Sequence, residues 1–208
     1  LSLCNKNMVK MDTNNDSKAK HDLLLDVCHA AKYEGDSIKT HYKQYEVQYP
    51  GSGHTTCTAL ARSFADIGDI VRGKDLYLGK KKKKQDETKT ERDQLESKLK
   101  DIFKQIYNDV TSSGSNVKKQ ALQKRYNDTE NYYQLREDWW TANRETVWKA
   151  ITCDEDKKLG GYSYFRATCG DSGRPSMARD KCRCKDENGK NETNQVPTYF
   201  DYVPQYLR

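Results

Sequence analysis

The sequence predicts an all-α fold, a helical bundle stapled by disulfides and interrupted by long irregular loops. Three observations carry that expectation. Apolar residues recur at three- and four-residue spacing over most of the chain. No five-residue run alternates convincingly between apolar and polar, so strand content is expected to be small. Seven cysteines are scattered through a polar chain of 208 residues, a usage that suits an extracellular disulfide-bonded module better than a cytosolic protein.

Leu24, Val27, Cys28 and Ala31 fall at i, i+3, i+4 and i+7, so residues about 18–33 read as a first helix ending near Gly35. Pro50, Gly51 and Gly53 mark residues 36–55 as a long loop. A second helix covers about 56–72, with Leu60, Phe64, Ile67 and Val71 as its stripe. Arg62, Asp66, Asp69 and Arg72 take the other face, and Gly73 is a natural stop. The third, roughly 87–111, carries Leu95, Leu99, Ile102, Phe103, Ile106 and Val110 until TSSGS breaks it. A fourth segment is expected over about 117–126 and a fifth over about 130–152, with Trp140, Val147, Trp148 and Ile151 on one face. Residues 153–196 are rich in Gly, Asp, Asn and cysteine and read as mostly irregular. The aromatic PTYFDYVPQYLR at 197–208 returns to a helix-initiating pattern.

Hydrophobic residues make up 34% of the chain, against a usual share of about 45–50%, and the mean hydropathy is -1.10. With 33% charged residues but 14 Tyr and 3 Trp, a folded core with a polar exterior is expected. The net charge of +6 favours anionic partners. No stretch approaches the roughly 20 apolar residues of a membrane span, and LSLCNKN is no signal peptide, so this piece is not expected to be membrane-inserted. An odd cysteine count suggests a missing partner in a longer chain.

Catalytic and cofactor chemistry is sought and not found. A phosphate-cradling loop needs G-x-x-x-x-G-K-[ST] after a strand; here Gly73 and Gly79-Lys80 are one residue too far apart, and Lys81 replaces the hydroxyl residue. Cys182 and Cys184 are too close for a zinc knuckle, and no histidine follows them. All four histidines (His21, His29, His41, His54) precede residue 55, which disfavours Cys–His catalysis. Asp66 and Asp69 each have an arginine at helical spacing, Arg62 and Arg72, so surface ion pairs are the expectation. Trp140 and Trp148 read as core anchors, and Trp139, a hundred degrees round, as partly exposed. Asn15, Asn127 and Asn191 open Asn-x-Ser/Thr sequons. No enzyme, metal or cofactor is expected.

Lys80, Lys81, Lys82, Lys83 and Lys84 form the strongest charge run. It reads either as a solvated loop or as an electrostatic patch for heparan-sulfate-like polyanions, extended by Lys89 and Arg92 and along the helix by Lys98, Lys100 and Lys104. Disulfide chemistry disfavours nucleic acid as the polyanion. Six cysteines, Cys28, Cys57, Cys153, Cys169, Cys182 and Cys184, are expected to be bonded. They allow fifteen pairings. The expectation is a long-range Cys57–Cys153 bond, with Cys182 or Cys184 closing onto Cys169.

"LCNKNM", "LLLDVCHAAKYEG", "ARSFADIGDIVRGKDLYLG", "YYQLREDWWTANRETVWKAITC", "YFRATC", "KCRC" and "VPTYFDYVPQYLR" follow one another with variable polar inserts between them. This ordered set resembles the alpha class of Duffy-binding-like domains, from the variant erythrocyte membrane proteins of falciparum malaria parasites. The resemblance implies a disulfide-stapled helical fold, with residues 1–55 ending a first subdomain and leading in, residues 56–208 forming a helical second, and a third absent. It leaves Cys4 as the cysteine whose partner lies upstream. It further implies an extracellular adhesion module on the infected-erythrocyte surface, involved in rosetting and cytoadherence. Host partners would be red-cell glycans or glycoproteins: sulfated glycosaminoglycan, blood-group sugar or complement receptor. Antibodies would bind it too, since variation between the shared motifs is antigenic. The competing expectation is a structural or antigenic scaffold whose receptor site lies in flanking regions.

Overall fold

The structure, a computed structural model, describes residues 4, 6–11, 18–48, 56–75, 90–153, 163–171 and 173–208, without the side chains of 43–48. Its helices are α1 (Lys6–Val9), α2 (Ala19–Gln48), α3 (Thr56–Arg72), α4 (Glu91–Ser112), α5 (Asn116–Arg125) and α6 (Tyr133–Ile151). Two antiparallel strands follow, β1 (Ser163–Cys169) and β2 (Ser176–Arg179), and then 3-10 turns at Phe200–Tyr202 and Gln205–Leu207. The all-α expectation holds, with the single two-stranded ribbon as the strand content of the described residues.

The core forms where α2, α3 and α6 pack together and α4 closes one side. α3 matches its expected span, and almost every residue in it is buried. It ends as the sequence indicates: Gly73 adopts φ +72°, its N–H donates to the Ile70 carbonyl, and Lys74 N–H donates to that of Asp69. Those two bonds define a Schellman stop, which favours glycine at the left-handed position. Phe64 of α3 stacks at 5.1 Å from Trp140 and 5.2 Å from Trp148 of α6, contacts worth about 0.5–1.5 kcal/mol each beyond burial. Thr90 begins α4 with a capping box to Asp93.

Two expectations need correction. α2 does not end near Gly35 but runs on to Gln48, so 36–48 is helix rather than loop. Gly35 is a packing residue instead of a stop. A Cβ there would sit 2.1 Å from the Ile151 carbonyl oxygen, so α6 can approach α2 only over a glycine. Trp139 is buried too, at 4% exposure, with its ring edge-on to Phe103 of α4 at 6.2 Å. The packing of α4 across α6 covers a face that α6 alone leaves open.

Candidate functional site

Three of the shared sequence motifs meet in one buried charged cluster. α3 contributes Asp66, Asp69 and Arg72, α6 contributes Trp140 and Arg144, and the C-terminal segment contributes Asp201, Tyr202 and Arg208. Asp201 is almost wholly buried. It accepts two hydrogen bonds from the Arg144 guanidinium, both 2.8 Å, and one from Trp140 Nε1 at 2.9 Å. Arg72, equally buried, donates to Asp69 at 2.9 Å, to the Gly68 carbonyl at 3.0 Å and to the Asp201 carbonyl. Arg208 ion-pairs with Asp69 and lies 3.7 Å from Asp66. The guanidiniums of Arg72 and Arg144 sit 5.7 and 5.1 Å from the ring centre of Tyr202.

The Asp69–Arg72 pair forms as spacing predicts, but inside the protein rather than on its surface, and the ion-pair contact of Asp66 is with Arg208, not Arg62. Burial pushes the Asp66 and Asp69 carboxyls above their ordinary range, and the neighbouring arginines only partly offset it. In a catalytic site such carboxyls would face a cleft. Here they face Arg72 and Arg208, and the arrangement holds α3 against the C-terminal segment.

Arg136 plays a matching part at the same, C-terminal end of α3. Fully buried, it donates to the carbonyls of Val71 and Ile70 at 2.6 and 3.2 Å, and grips Glu96 of α4 with two bonds of 2.7 and 2.8 Å. One side chain thus satisfies the open carbonyls of a helix end and ties α3, α4 and α6 together. Sequence reasoning missed Arg136, Arg144 and Asp201, because an arginine beside tryptophans reads as surface charge until the partner carboxylate is placed.

The residues singled out for glycan binding are mostly beyond view. Lys80, Lys81, Lys82, Lys83, Lys84 and Lys89 lie outside the described residues, as does Asn15. Arg92 is described, and it pairs with the buried Asp75. Lys98 donates to the Met11 carbonyl at 2.8 Å, tying α4 to the segment after α1. Lys100 is half-buried and Lys104 exposed on α4. Asn127 is exposed, whereas the Asn191 side chain donates to Asp186 at 2.8 Å. Among the described residues no group of three His, Cys, Asp or Glu side chains is placed to hold a metal.

The disulfides are Cys57–Cys182 and Cys169–Cys184. Cys57 therefore does not bond Cys153, and Cys28 and Cys153 stand with Cys4 outside both bonds. The reason lies in where α6 ends. The Cys153 carbonyl accepts from Lys39 of α2, which holds Cys153 against the second half of that helix. Trp148 Nε1 meanwhile donates 3.1 Å to the Cys182 carbonyl, and the same ring packs on Phe64 of α3. The later cysteine is thereby drawn to α3. Burial pushes the Cys28 thiol up to about 11.

Buried arginine–carboxylate pairs and two disulfides lock the described residues into a helical scaffold. The whole chain, residues 1–208, matches the family described as the Duffy binding domain, and it belongs to that family. Among solved structures, the ICAM-1-binding PfEMP1 IT4var13 DBLbeta domain is 30% identical, over 97% of this chain and 38% of that one, with a TM-score of 0.60. The same domain bound to ICAM-1 is 27% identical over 93% and 38%, with a TM-score of 0.55. The chain thus spans 38% of the length of these neighbours. No curated protein matches it by sequence. Among the described residues no helix is long and apolar enough to cross a membrane.

Proposed function

We infer that the chain is an extracellular adhesion module of an infected-erythrocyte surface antigen, of the alpha class, that binds host red-cell glycans or glycoproteins. The observation that carries this reading is the division of labour in the fold. The motifs of α3, α6 and the C-terminal segment supply the buried Asp69–Arg72–Arg144–Asp201 cluster and Arg136, so these residues serve the scaffold and recognition falls to the exposed surface. A solved neighbour with this fold binds ICAM-1, so the architecture can present a receptor surface. Residues 1–55 would close a first subdomain and residues 56–208 form the second.

Within this reading, lysines 80–84 with Lys89 and Arg92 contribute an electrostatic hold on sulfated glycans. Arg92 is the weakest member, because Asp75 already neutralises it. Gln at all five positions of the run should weaken heparin binding and flatten its salt dependence. A scaffold reading, with the receptor site in flanking regions, is favoured by the short coverage of the neighbours. Red-cell binding of the 208-residue chain beside a domain of the neighbours' length separates the two. Binding by the short chain supports adhesion through these residues; binding by the long form alone supports the scaffold.

A further inference from the structure

The β1–β2 hairpin presents a cationic and apolar face that the scaffold does not use. Tyr164, Cys169 and Ala178 turn inward, while Phe165 and Met177 are 40% and 37% exposed. Phe165 is held in place rather than loose: Tyr164 lies 4.8 Å from it and Phe200 5.9 Å, centre to centre. The Arg166 guanidinium sits 5.1 Å from the Phe165 ring centre. Register sets Arg179 across from Ser163 and Met177 across from Ala167. Arg174 and Lys181 are exposed near the two ends of β2.

These four cations form no ion pair among the described residues. Asp171, exposed at the hairpin turn, accepts the Arg174 N–H at 3.0 Å on its carbonyl, so the face is centred on the strand arginines rather than on Arg174. Two other nearby acids are engaged elsewhere. Asp180 pairs with Lys185 at 3.0 Å, and Glu192 with Arg183 at 2.6 Å. Cys169–Cys184 pins the hairpin at the end of β1. An exposed, fixed aromatic ring beside guanidinium groups that form no ion pair among the described residues suits an extended anionic chain. Arginine grips planar or tetrahedral oxyanions through paired N–H donors, and an exposed ring offers its face to the C–H side of a sugar.

We propose that this hairpin face, centred on Phe165, Arg166 and Arg179, is a binding site for an anionic polysaccharide. The proposal rests on the adhesion reading and gives it a site distinct from the lysine run. Sulfate and carboxylate groups share the required chemistry, so the test uses both: immobilised heparin, and hyaluronan, which carries carboxylates alone.

The 208-residue protein is titrated on each surface through a salt series, beside Arg166→Gln/Arg179→Gln, Arg166→Lys/Arg179→Lys, Phe165→Ala, and Gln at lysines 80–84. Thermal melting checks that each variant is folded. By the counterion-release relation, losing two contacts should weaken heparin binding roughly tenfold or more at physiological salt and cut the slope of log affinity against log salt by roughly 1.5–2. The Lys pair should keep the slope but lose affinity, as should Phe165→Ala. Binding to heparin but not hyaluronan assigns the site to sulfate, and binding to both assigns it to any anionic sugar. Wild-type affinity in the folded Gln pair overturns the proposal. So does a wild-type protein that binds red cells but neither polysaccharide, an outcome that leaves the adhesion reading standing. Red-cell binding that survives heparinase and sialidase yet fails in the hairpin variants also overturns it, by assigning the face to a protein.

Discussion

Asp201 shows how a single side chain decides the stability of this scaffold. Its carboxylate is desolvated and holds Arg144 and Trp140 at once, so removing it strands a largely buried guanidinium. Breaking such a pair from one side costs about 3–5 kcal/mol. Asp201→Ala should lose that much in urea unfolding, and Asp201→Asn less, because an amide oxygen still accepts from the indole. The Arg125–Asp138 pair is the contrast. Its geometry is as good, at 2.9 Å for both bonds, but the arginine is 54% exposed. Asp138→Asn should therefore change stability by less than about 1 kcal/mol. Equal losses at the two sites would mean that water reaches Asp201.

Among the elements, the sequence makes α3 legible and α2 only half so. The stripe Leu60, Phe64, Ile67, Val71 and the stop at Gly73 are local facts, and local facts fix a helix's ends. Gly35 carries the opposite lesson, since a glycine that breaks a helix and one that admits a neighbour are the same letter until α6 is placed. Gly35→Ala should stabilise α2 as a peptide, where alanine gains about 1 kcal/mol over glycine, yet destabilise the protein by forcing α6 away. Protein melting and peptide circular dichroism read the two signs. The start of α6 turns on Asp128, whose carboxylate accepts from the N–H groups of Asn131 at 3.0 Å, Glu130 at 3.2 Å and Tyr133 at 3.4 Å. Those bonds, led by Asn131, hold its carboxyl below the usual carboxylate range. The stability it adds is present above its ordinary pKa of about 3.9 and is lost as pH falls through the lower folded value. Asp128→Ala should cost about 1 kcal/mol at neutral pH, as for a lost cap, and the gap from wild type should close in acid. A gap that stays constant with pH would show that packing, not charge, is what Asp128 supplies.

For the whole molecule, cysteine number and disulfide character are legible in the sequence, but pairing is not, because it depends on Trp148 drawing residue 182 under α3. The two bonds then make an internal comparison. All four bonded cysteines are fully buried, so the packing lost on substitution is similar at each. Loop length is left to separate them. Cys57–Cys182 spans 125 residues and Cys169–Cys184 spans 15. Chain-entropy arguments give about 5 kcal/mol for the first and about 3 kcal/mol for the second. The Cys57→Ala/Cys182→Ala protein should therefore unfold at lower denaturant than Cys169→Ala/Cys184→Ala, by about 2 kcal/mol in extrapolated stability. The short bond has a local task instead, since it ties the end of β1 to residue 184 and so fixes where Phe165 and Arg166 sit. Its removal should loosen the hairpin, seen as faster amide exchange over 163–179, while α3 and α6 stay protected. If both double variants lose the same stability and exchange uniformly, the loops are already compact in the unfolded chain. Closure entropy then no longer ranks the two bonds.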